Sequence, residues 1–371
     1  MFSQSENLIN SVSAKPKHNI FTFHSPLFTL ITECIMNLND KITLAHGAGG
    51  NAAKELINKL FKKHFSNKAL NALDDGAVLK IGNIKLAFST DTFVIKPVFF
   101  KGGDIGKLAV CGTVNDLSMM GAKPLAMSAA AVIEEGFPLK DLEKITVSMS
   151  KQAKEAGINI VTGDTKVVRK GEADGIFINT SAIGVVDNKI NLSGANAKTG
   201  DTVIISGNIA DHGAAIMLAR NDLGFKSSIK SDCACLNGLA QSILKACPSI
   251  HAMRDPTRGG IAAALNEIAE SSNAGIIIEQ NKMPVAKAVA AFCAILGLDP
   301  LYMPNEGKMI SIQKESDTKK VLQVYKKHPL GKNAEVIGKI VKSPKGVWIK
   351  TVSGSLRRVL NIDTEQLPRI C

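Results

Sequence analysis

Seven aspartates, Asp74, Asp75, Asp91, Asp116, Asp164, Asp211 and Asp255, stand at expected strand ends or beside glycine. A strand end turns its side chain toward a crevice, and a neighbouring glycine lets a phosphate or metal ion approach the backbone closely. Hard carboxylate oxygens without clustered histidine or cysteine favour Mg2+ over zinc or copper. ATP arrives carrying that ion, so the set points to phosphoryl chemistry. A single Asp-Gly pair does no more than make a turn. Asp91 and Asp116 are not followed by glycine, so turn-making does not account for the set.

Two glycine-rich turns could complete such a site. The run from Lys101 to Lys107 (KGGDIGK) opens an expected helix carrying Cys111 and Asn115. Unpaired backbone N–H groups at a helix start attract anions, and Lys107 and Asn115 in this segment are expected among the nucleotide contacts. The second turn, Asp255 to Gly260 (DPTRGG), offers Arg258 for bidentate pairing with phosphate oxygens. Neither turn is a Walker A loop, and no G-x-G-x-x-G lies between a strand and a helix, so the P-loop and dinucleotide folds are unsupported. Lys166, after an expected strand end, could neutralise charge as a phosphoryl group moves. Glu306, before another strand, could accept a proton. His46 and His212 sit beside glycine and read as phosphate or substrate contacts.

The last residue, Cys371, follows an extended-looking run (EQLPRI). A thiol on a flexible tail can be loaded at one site and delivered to another. The seven cysteines are an odd number and form no even framework, and Cys233-Ala234-Cys235 has no second pair at finger-like spacing, which argues against structural zinc. Cys111, Cys247 and Cys293 lie in apolar surroundings and read as core. This usage points to a reduced, cytoplasmic protein.

These residues need a body to position them. A chain of 371 residues with 45% hydrophobic content, 31 glycines and 5% aromatics suits a two-domain α/β or α+β protein. Residues 1–35 are polar, then briefly apolar, and read as a disordered extension. From Ile42, helices are expected at about 52–65, 105–120 and 139–156, with strands at 84–90, 125–133, 158–162 and 176–183. A polar connector at 191–200 marks the boundary. Beyond it, strands at 202–206, 276–279, 309–312 and 336–341 alternate with helices, and the pattern weakens after Gly354. The formal charge of +12 raises the question of nucleic acid, but the lysines are scattered and aromatics are too few for base stacking. Positive charge serves equally to draw in a nucleotide or an acidic partner protein. No run of eighteen apolar residues is present, so no membrane span is expected.

Several stretches together resemble one family, HypE, the hydrogenase maturation proteins that make the cyanide ligand of the nickel–iron site. They are HGAGG (46–50), DDGAVL (74–79), GGDIGKLAVCGTVNDLSMMGAKP (102–124), VTGDTKVV (161–168), DGIFINT (174–180), SDCACL (231–236), MRDPTRGG (253–260), LNEIAE (265–270), NEGK (305–308) and the terminal PRIC. The resemblance covers residues 36–371. Relatives such as aminoimidazole ribonucleotide synthetase, selenophosphate synthetase and thiamine-monophosphate kinase share the acidic ATP–magnesium site without the terminal thiol.

The resemblance implies an α+β, two-domain, aminoimidazole ribonucleotide synthetase-like fold. An N-terminal domain (36–188) would bind ATP and lend strands to a dimeric β-barrel. A C-terminal α/β domain (189–353) and a mobile tail (354–371) would follow. ATP would bind across a homodimer, with Asp75, Asp91, Asp116 and Asp255 handling metal and phosphate. Asp74 and Asp164 would belong to the same nucleotide site. HypF would load a carbamoyl group onto Cys371, ATP would drive its dehydration to a thiocyanate, and the cyano group would pass to iron on HypC–HypD. Lys166 would stabilise the transferring phosphoryl group and Glu306 would take a proton. The alternatives are a generic ATP-dependent synthetase or kinase for a small metabolite, and a basic scaffold that merely presents its tail.

Overall fold

The computed structural model describes residues 41–220 and 227–361. The expected extension at 1–35 and the end of the expected tail, Cys371 included, lie outside the described residues. Among the described residues no helix is long and apolar enough to cross a membrane.

After a 3-10 turn at Leu44–Gly47 comes helix α1 (Asn51–Leu56), which widens into a π-helical turn over Ile57–Phe61 and tightens again as α2 (Lys62–Phe65). There follow β1 (Ala77–Ile81), β2 (Ile84–Phe93), the short pair β3 (Phe99–Phe100) and β4 (Gly103–Asp104), and α3 (Ile105–Met119). Then come β5 (Ala122–Glu134), α4 (Leu139–Ala156), β6 (Asn159–Val168) and β7 (Ile176–Val186). Five of these strands form one sheet in the order β1-β2-β7-β5-β6, antiparallel except where β6 runs beside β5.

Alternation decides which face of the sheet is covered. In β7, Ile176, Ile178, Thr180 and Ala182 are buried, whereas Phe177, Asn179, Ser181 and Ile183 between them are less so. Helix α4 buries Ile145, Met149, Gln152, Ala153 and Ala156, the three-and-four spacing of one helical face, and stops at left-handed Gly157. Helix α3 is buried almost all round because it packs on the sheet, on α4 and on the C-terminal half. It approaches α4 so closely that a Cβ on Gly106 would stand 2.5 Å from the Ile145 carbonyl oxygen.

The second half contains β8 (Thr202–Ile205), α5 (Asp211–Arg220), α6 (Asn237–Ala246), β9 (Ala252–Arg254), α7 (Gly260–Ser271) and β10 (Gly275–Glu279). It continues through α8 (Lys287–Leu296), β11 (Ile310–Gln313), α9 (Thr318–Lys327), β12 (Glu335–Val341), β13 (Gly346–Lys350) and β14 (Leu356–Val359). Its seven-stranded sheet runs β14-β13-β10-β12-β8-β11-β9. All four residues of β8 and of β11 are buried, as central strands covered on both faces must be.

The expected barrel is corrected by this topology. The two-part α+β organisation stands, but among the described residues no sheet closes: β1 and β6 end the first sheet, β14 and β9 the second, and each edge strand pairs on one side. Strand β6 also runs well past the expected end at residue 162, so Asp164 and Lys166 lie inside a strand. Gly163 permits this, since a Cβ there would stand 2.2 Å from the Ala129 carbonyl oxygen on β5. Part of the stretch expected as tail, Leu356–Val359, is the strand β14, paired with β13.

Candidate active site

A cavity of about 480 Å³ opens between the first sheet, α3 and the start of α7. Its aspartates come from four separated segments: Asp74 and Asp75 from the turn before β1, Asp91 from β2, Asp116 from α3, and Asp255 from the turn after β9. One carboxylate oxygen from each of Asp75, Asp116 and Asp255 lies within 4.8 Å of the others. Asp91 joins them because the register pairs it with Thr180, on the sheet face that packs on α3.

Like charges in a buried place resist ionisation. Burial, followed by the charges of Asp91, Asp255 and Asp75, pushes the Asp116 carboxyl well above its ordinary value, although Ser89 Oγ donates to it at 2.5 Å. Burial likewise lifts Asp75, outweighing the Arg254 guanidinium whose Nε lies 2.9 Å from its carboxylate. It raises Asp91 against the pull of Arg258 and brings Asp255 up to about 6. Three clustered carboxylate oxygens of this kind are a donor set for a hard divalent cation, so Mg2+ fits them.

Around this centre, Arg258 donates from Nη1 to the Gly47 carbonyl oxygen at 3.0 Å, tying the DPTRGG turn to the HGAGG loop. His46 and Thr257 line the same cavity. Asp74 lines it too, but its Oδ1 already accepts from Ser193 Oγ and Gly194 N, each at 3.2 Å. Glu306 reaches the cavity from the opposite wall with 2% exposure, and its Oε1 has no hydrogen-bond partner. Burial, then the neighbouring Cys233, Asp255, Asp232 and Asp91, pushes its carboxyl well above the usual range.

Two family models match the chain: the N-terminal domain of AIR synthase related protein over residues 73–186, and its C-terminal domain over 198–350. The carbamoyl dehydratase HypE of Cupriavidus necator is 45% identical over 333 residues, which span 89% of this chain and 95% of that protein. A crystal structure of a HypE–HypF complex is matched at 49% identity with a TM-score of 0.79, over 83% of this chain and 99% of that one. A hydrogenase maturation protein HypE in complex with ATP is matched at 44% identity with a TM-score of 0.75, over 89% and 100%. This chain belongs to the HypE family.

The expected HypE site residues divide into three groups. Asp74, Asp75, Asp91, Asp116, Asp255, Arg258 and Glu306 line one cavity. Asp164 and Lys166 do not join them; they stand on β6 with side chains 65% and 71% exposed, 3.5 Å from each other. Lys107 and Asn115 have local duties instead. Asp104 Oδ1 accepts from the N–H groups of Gly106 and Lys107, so the start of α3 is capped by its own chain, and Lys107 Nζ donates to the Gly102 carbonyl. Asn115 is buried and stitches α3 to the second half, donating to the Ala234 carbonyl at 3.1 Å and accepting from Leu236 N at 2.8 Å. His212 is also buried, with Nδ1 2.8 Å from Ser231 Oγ.

Arg254 is a residue of the cavity that sequence reasoning missed. It bridges Asp75 and Glu267 inside the acidic cavity, and these acids raise its own basicity despite its burial. The signal was available: an arginine immediately before Asp255 in a short apolar strand cannot be buried without acidic partners.

Proposed function

We propose that this HypE is an ATP-dependent carbamoyl dehydratase whose substrate is an S-carbamoyl group on its own Cys371. It converts that group into a thiocyanate that supplies cyanide ligands for the nickel–iron hydrogenase site. The observation that carries the reading is the junction of the buried carboxylate cluster of Asp75, Asp116 and Asp255 with the unpartnered Glu306 in one cavity.

The chemistry follows from the leaving group. The oxygen of a carboxamide leaves poorly, and its transfer to phosphate turns it into a good leaving group. The carboxamide oxygen on Cys371 attacks the γ-phosphorus of ATP, and ADP departs. Loss of phosphate and of both nitrogen protons leaves the nitrile. A tethered substrate makes the encounter effectively intramolecular. Asp75, Asp91, Asp116 and Asp255 would hold Mg2+, which when bound supplies charge neutralisation for the phosphate oxygens. Arg258 contributes fixed positive charge at the cavity rim. Glu306 takes a nitrogen proton; the burial that raises its carboxyl makes its ionised form a stronger base than an exposed glutamate.

The acting unit is a homodimer. Large apolar side chains stand exposed on the first sheet, among them Ile84, Phe88, Val161, Val167 and Val185, and such patches mark protein contacts. Lys166 belongs to this exposed sheet and serves the cavity of a partner subunit. HypF supplies the carbamoyl group, since a relative 49% identical has been crystallised with HypF. The HypC–HypD complex receives the cyano group on iron, and the +12 charge favours an acidic partner. The five cysteines among the described residues are free thiols, in keeping with a cytoplasmic enzyme.

Intact-protein mass spectrometry after incubation with HypF, carbamoyl phosphate and Mg-ATP tests this. The expected result is a carbamoyl adduct on Cys371 that loses one water when ATP acts on it. A chain that never acquires the nitrile under those conditions overturns the proposal.

A further inference from the structure

Asp232 takes no part in the acidic cavity, yet its side chain is only 3% exposed. An ionised carboxylate in such a place is costly unless every oxygen is engaged. Here both are. Oδ1 accepts from the backbone N–H of Glu306 at 3.1 Å, and Oδ2 accepts from the N–H of Gly307 at 3.2 Å and from Lys308 Nζ at 2.9 Å. Three successive residues of the Asn305–Lys308 turn therefore close on one anion. Consecutive N–H groups converging in this way form a nest for negative charge. Burial alone would raise the Asp232 carboxyl, but Lys308, His212 and the Glu306 N–H outweigh it and hold it below the ordinary value.

The same turn is fixed from its other side by neutral groups. The Glu306 carbonyl accepts from Ala234 N at 3.3 Å and from Asn115 Nδ2 at 3.4 Å. Asn305 Nδ2 donates to the Pro256 carbonyl at 3.0 Å, which ties the turn to the segment bearing Asp255. On the Glu306 side chain, Oε1 is unpartnered. Where the carboxyl enters the cavity follows from where the turn places its backbone, whose N–H is held by Asp232. We propose that Asp232 is the positioning residue for Glu306, clamping the Glu306–Gly307 peptide so that the carboxyl faces the reacting group. This rests on the reading of Glu306 as proton acceptor and extends it by one residue.

Lys308 does not hold the phosphates in this arrangement; it is the counter-ion that keeps the clamp charged. The Asp232 carboxylate touches none of Asp75, Asp91, Asp116 or Asp255, and the Asn305–Pro256 tie to the Asp255 segment does not pass through it, so loosening the clamp should spare nucleotide binding. That separates positioning from general damage to the site.

The test uses full-length protein carbamoylated by HypF, with the rate of water loss followed by intact mass across a range of Mg-ATP concentrations. Asp232→Asn keeps the shape but loses the charge and one acceptor. Its maximal rate is expected to fall on the order of 30-fold or more, while the ATP concentration for half-maximal rate changes less than about threefold. Glu306→Gln is expected to slow the step more than Asp232→Asn does while keeping a rate that intact mass can follow over long incubation, and the double variant to be no slower than Glu306→Gln alone, because both changes remove one function. Wild-type rates in Asp232→Asn beside a strongly slowed Glu306→Gln would overturn the positioning role. So would losses in the two single variants that multiply in the double. A wild-type rate in Glu306→Gln would instead overturn the reading of Glu306 itself. Should Asp232→Asn melt too low to assay, Asp232→Glu retains the charge and lengthens the arm, and the same split between rate and ATP dependence is expected.

Discussion

Asp91 and Lys166 leave opposite faces of one five-stranded sheet. Asp91 lies opposite Thr180 on β7, whose side chain is buried against α3. Lys166 lies opposite Val132 on β5, which in turn faces Phe177 on β7, three residues from Thr180. An odd offset along a strand reverses the face. Lys166 therefore cannot serve the cavity of its own subunit. If it acts in the reaction, it acts on a second copy. Lys166→Ala and Asp91→Asn homodimers should each be inactive, and mixing them should restore roughly a quarter of wild-type activity. Half of the random dimers are mixed, and each has one intact site of two. Activity assayed after subunit exchange checks this; a mixture that stays inactive rejects action across subunits.

The acidic cavity trades stability for ligand binding. Asp116 is buried among Asp75, Asp91 and Asp255, and its carboxyl is held well above the ordinary range. Replacing it with Asn removes one repelling charge and retains the acceptor for Ser89. Asp116→Asn should raise the melting temperature of the ligand-free protein by on the order of 2 °C while weakening Mg-ATP binding at least about tenfold. Calorimetry in both senses checks the pair of effects. A fall in melting temperature would show that the cluster is already neutral or compensated.

The same crowding fixes the sign of the pH dependence. Asp255 titrates at about 6 in the folded protein, and Asp75 and Asp116 are also raised. Asp211, outside this cavity, is likewise raised to about 6. Folded protein thus holds protons that the unfolded chain has released, so stability is highest below about pH 4 for these groups and falls as pH rises through 6. Melting temperature in chelator should decline over that window. With millimolar Mg2+ the decline should flatten, since the cation replaces the protons as the neutralising charge. Asp211→Asn should remove part of the slope without altering the Mg2+ effect.

Part of this cavity was legible before the fold. An Asp-Gly pair marked Asp75, and the resemblance picked Asp91, Asp116 and Asp255 from the acidic set, whereas the Gly-Asp pair at Asp164 pointed to a residue that lies elsewhere. What local patterning could not show was the face. Lys166 and Asp164 read as loop residues because Gly163 interrupts the apolar run, yet that glycine lets β6 continue against β5. The helix start at Ile105 read as an anion site because its own cap, Asp104, was counted as part of a turn. The strands β13 and β14 were missed because strands of five and four residues containing lysine, arginine and glycine carry little periodicity. Asp232 escaped notice for a different reason. Its partners lie more than seventy residues away, and a residue that acts by holding another's backbone leaves no motif of its own.

Gly307 offers an independent handle on the turn that carries Glu306. A Cβ built there would stand 1.9 Å from the Asp232 carbonyl oxygen and 3.1 Å from Ala234 N, both backbone atoms with no rotamer to move aside. Gly307→Ala must push the turn off residues 232–234, which strains the contacts that Asp232 makes with both N–H groups. The strain should cost about 1–3 kcal/mol of stability. Because the four metal-binding candidates come from other segments, ATP should still bind with little change while dehydration slows severely. Mg-ATP titration beside the mass assay separates the two. A variant that loses ATP affinity and rate together would show that the turn supports the whole cavity rather than the aim of Glu306.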